Sequence, residues 1–185
     1  NVPLFRTLID QLADERRWVV LNLGAAFPQT VNLLRPYRCR LDIANLADEI
    51  DTVKPLFESE DSDGLSESIE RLLPGHPGEP TDMVFCWDFL NYMESSVMTQ
   101  LMTAVAERCR RGAHLHALIA YSQPLMQEQP GQFAPVDEGQ LVSLSGAKPS
   151  RIAPRYSTED LRRCMPDFSV DRVRLLGNGM QEYLF

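Results

Sequence analysis

No apolar run in this 185-residue chain approaches the roughly 20 residues that a membrane-spanning helix requires. A secretory h-region is missing too, since the opening NVPLFRTLIDQLADERR is amphipathic and carries acids. Cysteine is scarce: Cys39, Cys86, Cys109 and Cys164 are widely spaced with no CxxC pair, which excludes a disulfide scaffold and points to free thiols in the cytoplasm. Basic residues are outnumbered, 18 Lys and Arg against 26 Asp and Glu. The resulting charge of −8 speaks against a partner whose phosphates need clustered Lys and Arg, so no nucleic acid is expected, and no membrane. There is no internal repeat, no P-loop and no G-x-S-x-G nucleophile elbow. Asn1 is not an initiator Met, so sequence upstream of it is expected.

What remains is ordinary globular composition, 44% hydrophobic and 24% charged. Length predicts one domain over 1–185, large enough to bury about two-thirds of its unfolded surface without a staple. The charge is unevenly placed. Residues 42–63 hold eight acids (Asp42, Asp48, Glu49, Asp51, Glu58, Glu60, Asp61, Asp63) against Lys54 alone, a net −7. That run is either solvated surface or part of a site.

Hydrophobic periodicity sets the order of elements. Leu4, Leu8, Ile9 and Leu12 predict a helix over 3–16, and the apolar run 18–23 predicts a strand buried on both faces, broken by Gly24. A short helix over 29–34, a strand over 39–43, a helix over 45–51 and a weak strand over 53–57 follow. Next come a helix over 65–73, a clear strand over 83–87 ending at Asp88, and a helix over 96–110 stopped by Gly112. A strand over 114–121 leads to a Pro-, Gly- and Gln-rich loop or lid, 124–150, with one strand near 140–144. Ser157 with Asp160 three residues on announces a helix N-terminus, and Gly177-Asn178-Gly179 announces a closing hairpin between 169–176 and 180–185. Alternation implies an α/β, Rossmann-like three-layer sandwich with a mostly parallel sheet and a C-terminal antiparallel hairpin. Ligands bind such sheets at the carboxyl ends of the strands.

Three stretches carry a resemblance: VVLNLGAAF (19–27), DMVFCWDFLNYM (82–93) and the terminal helix plus hairpin from Tyr156 onward. Together they resemble the class I S-adenosylmethionine-dependent methyltransferases over most of the chain. The resemblance implies a seven-stranded sheet whose last strand inserts antiparallel. It also implies a cofactor, S-adenosylmethionine, held by the turn after the first strand. In the family that turn reads acid-x-Gly-x-Gly-x-Gly. Here the matching positions are Asn22, Gly24, Ala26 and Pro28, so only the first glycine is kept. Asn can accept a hydrogen bond but cannot offset an ammonium charge. Asp42 matches the acid that holds the ribose hydroxyls, and Asp61 or Asp63 the acid near adenine.

At the fourth-strand end, Asp88 would orient an acceptor or act as general base, Asn91 would hydrogen-bond it, and Tyr92 would wall the pocket. The alternative is that Asp88 caps the next turn while Phe89, Leu90 and Tyr92 pack the helix layer. Trp18 and Trp87 are expected to pack the sheet. His114 and His116 share a strand face but lack a third ligand at a recognisable spacing, so no metal site is expected. Two functions follow. One is methyl transfer to a small-molecule or protein acceptor. The other is a non-catalytic binding or regulatory module that keeps the fold with weakened or lost cofactor binding. If 180–185 is a sheet edge, it offers a surface for a homodimer.

Overall fold

A computed structural model describes residues 1–25, 27–46, 68–144, 146 and 150–185. The first helix, α1 (Pro3–Gln11), starts on a proline whose missing N–H costs nothing at that position. It buries Leu4, Phe5, Leu8 and Ile9. It stops short of the expected residue 16: Ala13 and Asp14 make tight i→i−3 bonds. The chain there must turn back into β1 (Trp18–Asn22), and the Arg16 guanidinium pairs with the buried Asp82 at 2.7 Å. After α2 (Pro28–Leu34) comes β2 (Cys39–Ile43). The expected helix over 45–51 does not begin at Asn45, which has φ of 53°; its remainder, and the weak strand over 53–57, lie outside the described residues. Residues 68–72 are helical.

β3 (Thr81–Trp87) is buried along its whole length and runs into a 3-10 turn, Phe89–Tyr92. The next helix, α3 (Ser95–Arg108), buries Val97, Met98, Leu101, Met102, Ala104 and Val105. It ends at Arg108, not at Gly112. The Arg108 side chain donates to Ala104 O at 2.9 Å, a cation on the last exposed carbonyls, and Cys109 is already extended. Gly112 instead lies inside β4 (Cys109–Ala120), with φ of 79°. There β4 fits extra residues between the pairs Thr81–Cys109 and Met83–His114, a bulge for which glycine is suited.

The described part of 124–150 contains strands: β5 (Leu125–Met126) pairs with β8 (Arg151–Ile152), and β6 (Phe133–Asp137) forms a hairpin with β7 (Gln140–Ser143). The helix α4 (Thr158–Cys164) carries the expected capping box between Ser157 and Asp160. The closing hairpin is β9 (Arg172–Leu175) and β10 (Met180–Leu184).

Among the described residues the main sheet has six strands in the order β2-β1-β3-β4-β10-β9. The pairs from β2 to β4 are parallel and those around β10 antiparallel. β10 is therefore interior, paired on both sides, and offers no edge for a partner copy; β9 is the edge. Two hydrophobic layers cover the sheet. Leu21, Val84, Cys86, Leu115 and Ile119 face α3 and α4, while Val20, Met83, Phe85, Trp87 and Leu118 face α1 and α2. Each large side chain fully buried there is worth about 1.5–3 kcal/mol. Among the described residues, no helix is long and apolar enough to cross a membrane.

Candidate functional site

The carboxyl ends of β1, β2 and β3 form the crevice in which the sequence places its site. Asn22 closes β1 and is completely buried. Its Nδ2 donates to the carbonyls of Gly24 (3.1 Å) and Ala25 (3.0 Å), while its Oδ1 accepts from Gly24 N–H (3.3 Å). The same oxygen accepts the indole N–H of Trp87 at 2.6 Å. Asn22 thus knots the turn and holds the tryptophan, with both of its donors consumed.

Trp87 reaches this place because β3 carries an extra residue between Phe85 and Trp87, with Trp87 itself at φ of 50°. A left-handed backbone costs a bulky residue on the order of 1–3 kcal/mol and persists only where surrounding contacts hold it. Here those contacts are the Asn22 bond and the rings of Phe5, Phe85, His116 and Phe133, with centroids 5.3 to 6.3 Å apart within the cluster. The indole also explains Gly24. A Cβ on that residue would stand 2.6 Å from Trp87 Cδ1, so the space freed by the glycine is taken by the chain's own side chain.

Asp42 lies on β2, nearly buried, and its Oδ2 accepts from Arg40 Nη2 at 2.9 Å. Arg40 continues to Glu79, which also pairs with Arg17 at 2.9 Å. This carboxylate is one member of a charge network that leads away to the loop before β3. Ala26 and Asp61, together with Asp63 and the rest of the acidic run beyond Leu46, lie outside the described residues.

Beyond Trp87, Asp88 occupies the position before the 3-10 turn, but its side chain makes no capping bond. Both carboxylate oxygens instead accept the N–H of Gly131, each at 2.9 Å. Burial pushes its carboxyl up to about 7, against the opposing pull of the Gly131 N–H and of its own backbone N–H. Asn91 is a tie between elements: Nδ2 donates to the carbonyls of Asp88 (2.7 Å) and Leu118 (2.8 Å), and Oδ1 accepts from Ala120 N–H (2.8 Å). Tyr92 donates to Gln127 O at 3.2 Å, and the Arg151 guanidinium lies 5.5 Å from its ring centroid. Desolvation and the nearby Asp88 raise the Tyr92 phenol.

Three participants escaped the sequence. Gly131 and Phe133 close over Asp88 and Trp87 from the 124–150 region, where composition predicts a loop or lid without pointing to either residue. Glu182, fully buried in β10, accepts the N–H groups of Leu4 (3.0 Å) and Phe5 (2.7 Å) and bonds His116 Nε2 at 3.0 Å. It caps α1 from the far end of the chain. Its signal was an acid at an inward-facing position of the closing strand. Among the described residues there is no group of three His, Cys, Asp or Glu able to hold a metal ion. A recess of about 560 Å³ is lined by Arg6, Asn32, Tyr37, Asp137, Glu138 and Gln140, none of them singled out by sequence.

S-adenosylmethionine would need a charged or free acceptor at Asn22, open backbone at Gly24 and a free acid at Asp42. In this arrangement the first is spent on the turn and the indole, the second is covered by Trp87, and the third is paired with Arg40. Among the described residues, Asn22, Gly24 and Asp42 do not fit the cofactor.

No protein-family model matches the sequence, and no curated protein matches it. Solved structures do. A S-adenosylmethionine-dependent methyltransferase from Clostridium acetobutylicum ATCC 824 superposes with a TM-score of 0.57 at 12% identity, over 100% of this chain and 91% of that one. The glycopeptide N-methyltransferase MtfA, complexed with S-adenosylmethionine, gives 0.50 at 13% identity, over 97% and 91%. The pyocyanin biosynthetic protein PhzM gives 0.50 at 12% identity over 97% of this chain, which spans only 53% of its length. At such identities the likeness establishes fold alone: the chain has the class I methyltransferase fold.

Proposed function

We propose that this chain is a non-catalytic binding or regulatory module that keeps the methyltransferase fold and has given up the cofactor. One observation carries the reading: the Trp87 indole is bonded to Asn22 Oδ1 at 2.6 Å and lies in the space over Gly24 that the fold's turn leaves for a ligand. Asn22 and Asp42, which would grip the two ends of the cofactor, are engaged within the chain. A fold does not carry its activity with it once the site is rebuilt. The test is a calorimetric titration with S-adenosylmethionine and S-adenosylhomocysteine. No heat at millimolar ligand is expected, and micromolar affinity would overturn the reading.

A second reading, methyl transfer to a small-molecule or protein acceptor, is favoured by Asp88. A carboxyl that titrates at about 7 at the carboxyl end of β3 is suited to take a proton from an acceptor near neutral pH. The same titration separates the two, since methyl transfer requires cofactor binding.

A further inference from the structure

Away from the crevice, α1, the end of α2 and the β6–β7 hairpin enclose the recess of about 560 Å³, the size of a small-molecule pocket. It shares no lining residue with the crevice. Its walls are tied together by the chain's own bonds. Val2 N–H donates to Gly139 O at 2.9 Å, which fixes the turn of the hairpin to the start of α1. The Tyr37 hydroxyl donates to Glu138 Oε1 at 3.1 Å, which fixes the same turn to the segment after α2. Asp137 Oδ1 accepts from Gly139 N–H at 2.8 Å. Each carboxylate spends one oxygen in this way and keeps the other unbonded among the described residues. Arg6 brings the opposite charge. Its stem runs along Gly139, where a Cβ would meet Arg6 Cδ at 3.5 Å. Yet its guanidinium makes no ion pair or hydrogen bond among the described residues, although Asp137 and Glu138 line the same recess. A guanidinium–carboxylate pair is the strongest contact open to these side chains. The fold withholds it by turning Asp137 onto Gly139 and Glu138 onto Tyr37.

We propose that this recess binds a basic α-amino acid, with its carboxylate on Arg6 and its two cationic groups on Asp137 and Glu138. The charges that the chain leaves unmatched carry the class. A ligand without an anion would leave Arg6 unmatched, and a neutral amino acid would leave one carboxylate unmatched. Asp10, close enough to act on Tyr37, adds a further negative charge on the α1 side, and the net −8 of the chain favours cations in the same sense. Leu33 and Pro36 give the recess an apolar wall for the methylene stem between the two cations. Because the carboxylates are held before a ligand arrives, little ordering is lost on binding. The inference does not rest on the reading of the crevice and holds whether or not S-adenosylmethionine binds there.

Titration with L-lysine at low salt, followed by the Gly139 and Gln140 amide shifts in heteronuclear NMR, tests it. Saturable shifts are expected by about 10 mM ligand. Cadaverine, which lacks the carboxylate, and norleucine, which lacks the side-chain ammonium, should each bind on the order of tenfold more weakly. Arg6→Gln, at an exposed position of α1, should weaken lysine on the order of tenfold and leave cadaverine unchanged. Glu138→Gln keeps the oxygen that accepts from Tyr37 and should erase the advantage of lysine over norleucine. Asp137→Asn, which keeps the acceptor for Gly139, serves the same comparison should the first variant fold poorly. Absence of saturable shifts, cadaverine binding as tightly as lysine, or a lysine affinity indifferent to Arg6→Gln overturns the proposal. S-adenosylmethionine heat in the calorimeter would instead overturn the non-catalytic reading and leave the lysine result standing.

Discussion

Trp87→Ala is the most informative single substitution. The indole is 3% exposed and meets Phe5, Phe85, His116 and Phe133, so its removal deletes a packed side chain where the surrounding strands and α1 can collapse only in part. Such truncations cost about 3–5 kcal/mol. The lost bond to Asn22 adds little, because Asn22 Oδ1 keeps the Gly24 N–H, and alanine at φ of 50° recovers none of the backbone strain. Against a typical stability of about 5–15 kcal/mol the variant stays folded in the cold, with its Tm lowered by roughly 6–20 °C. Urea unfolding at unchanged m-value reads the cost. Calorimetry with S-adenosylmethionine then reads the space over Gly24: no heat from the native chain, and weak binding once the indole is gone. A cost under about 1 kcal/mol would refute the packing argument. Equal affinity in both proteins would refute the claim that Trp87 fills the crevice.

Glu182→Ala strands three buried donors, the Leu4 and Phe5 N–H groups and His116, and should cost about 3–5 kcal/mol by urea unfolding. A loss below 1 kcal/mol would show that α1 is held by its apolar face alone. Asn22→Asp, which the family pattern suggests as a repair, should destabilise by about 2–4 kcal/mol, because a carboxylate oxygen would then face the Gly24 and Ala25 carbonyls. A variant as stable as the native chain and able to bind S-adenosylmethionine would reverse the fit argument. Asp88→Asn should match the native chain near pH 4 and become the more stable of the two as pH rises to 7. The folded state holds the Asp88 proton more tightly than the unfolded chain, so ionisation erodes native stability over that window, by on the order of 4 kcal/mol in all. Parallel stability curves from pH 4 to 8 would contradict it.

Much of the architecture was legible because it rests on local signals. The apolar runs of β1 and β3, the Ser157–Asp160 capping box and the Gly177–Gly179 turn act over a few residues, and alternation of strand and helix leaves few topologies. Gly112 misled for a reason of the same kind. A glycine after a helix reads as a stop, yet Arg108 had already ended α3 and the glycine served a bulge that exists only against β3. The edge considered at 180–185 failed likewise, since whether β10 is an edge depends on where β9 lies.

The site divides along the same line. By itself the sequence determined that Asn22, Gly24, Asp42 and Asp88 would stand at or near the carboxyl ends of strands, and β1 does pair in parallel with β2 and β3. What those residues do there was decided by partners distant in the chain: Trp87 for Asn22, 65 positions away, Gly131 for Asp88, 43 away, and the start of α1 for Glu182, 177 and 178 away. Spacing in sequence carries no information about such pairs until the sheet is assembled. Hydrogen bonds and ring contacts at 3 to 6 Å form only after packing has set the strands. The net charge of −8 shows the same limit. As composition it spoke about partners, and in the folded chain its one described member in the acidic run beyond β1, Asp42, proved to be occupied by Arg40.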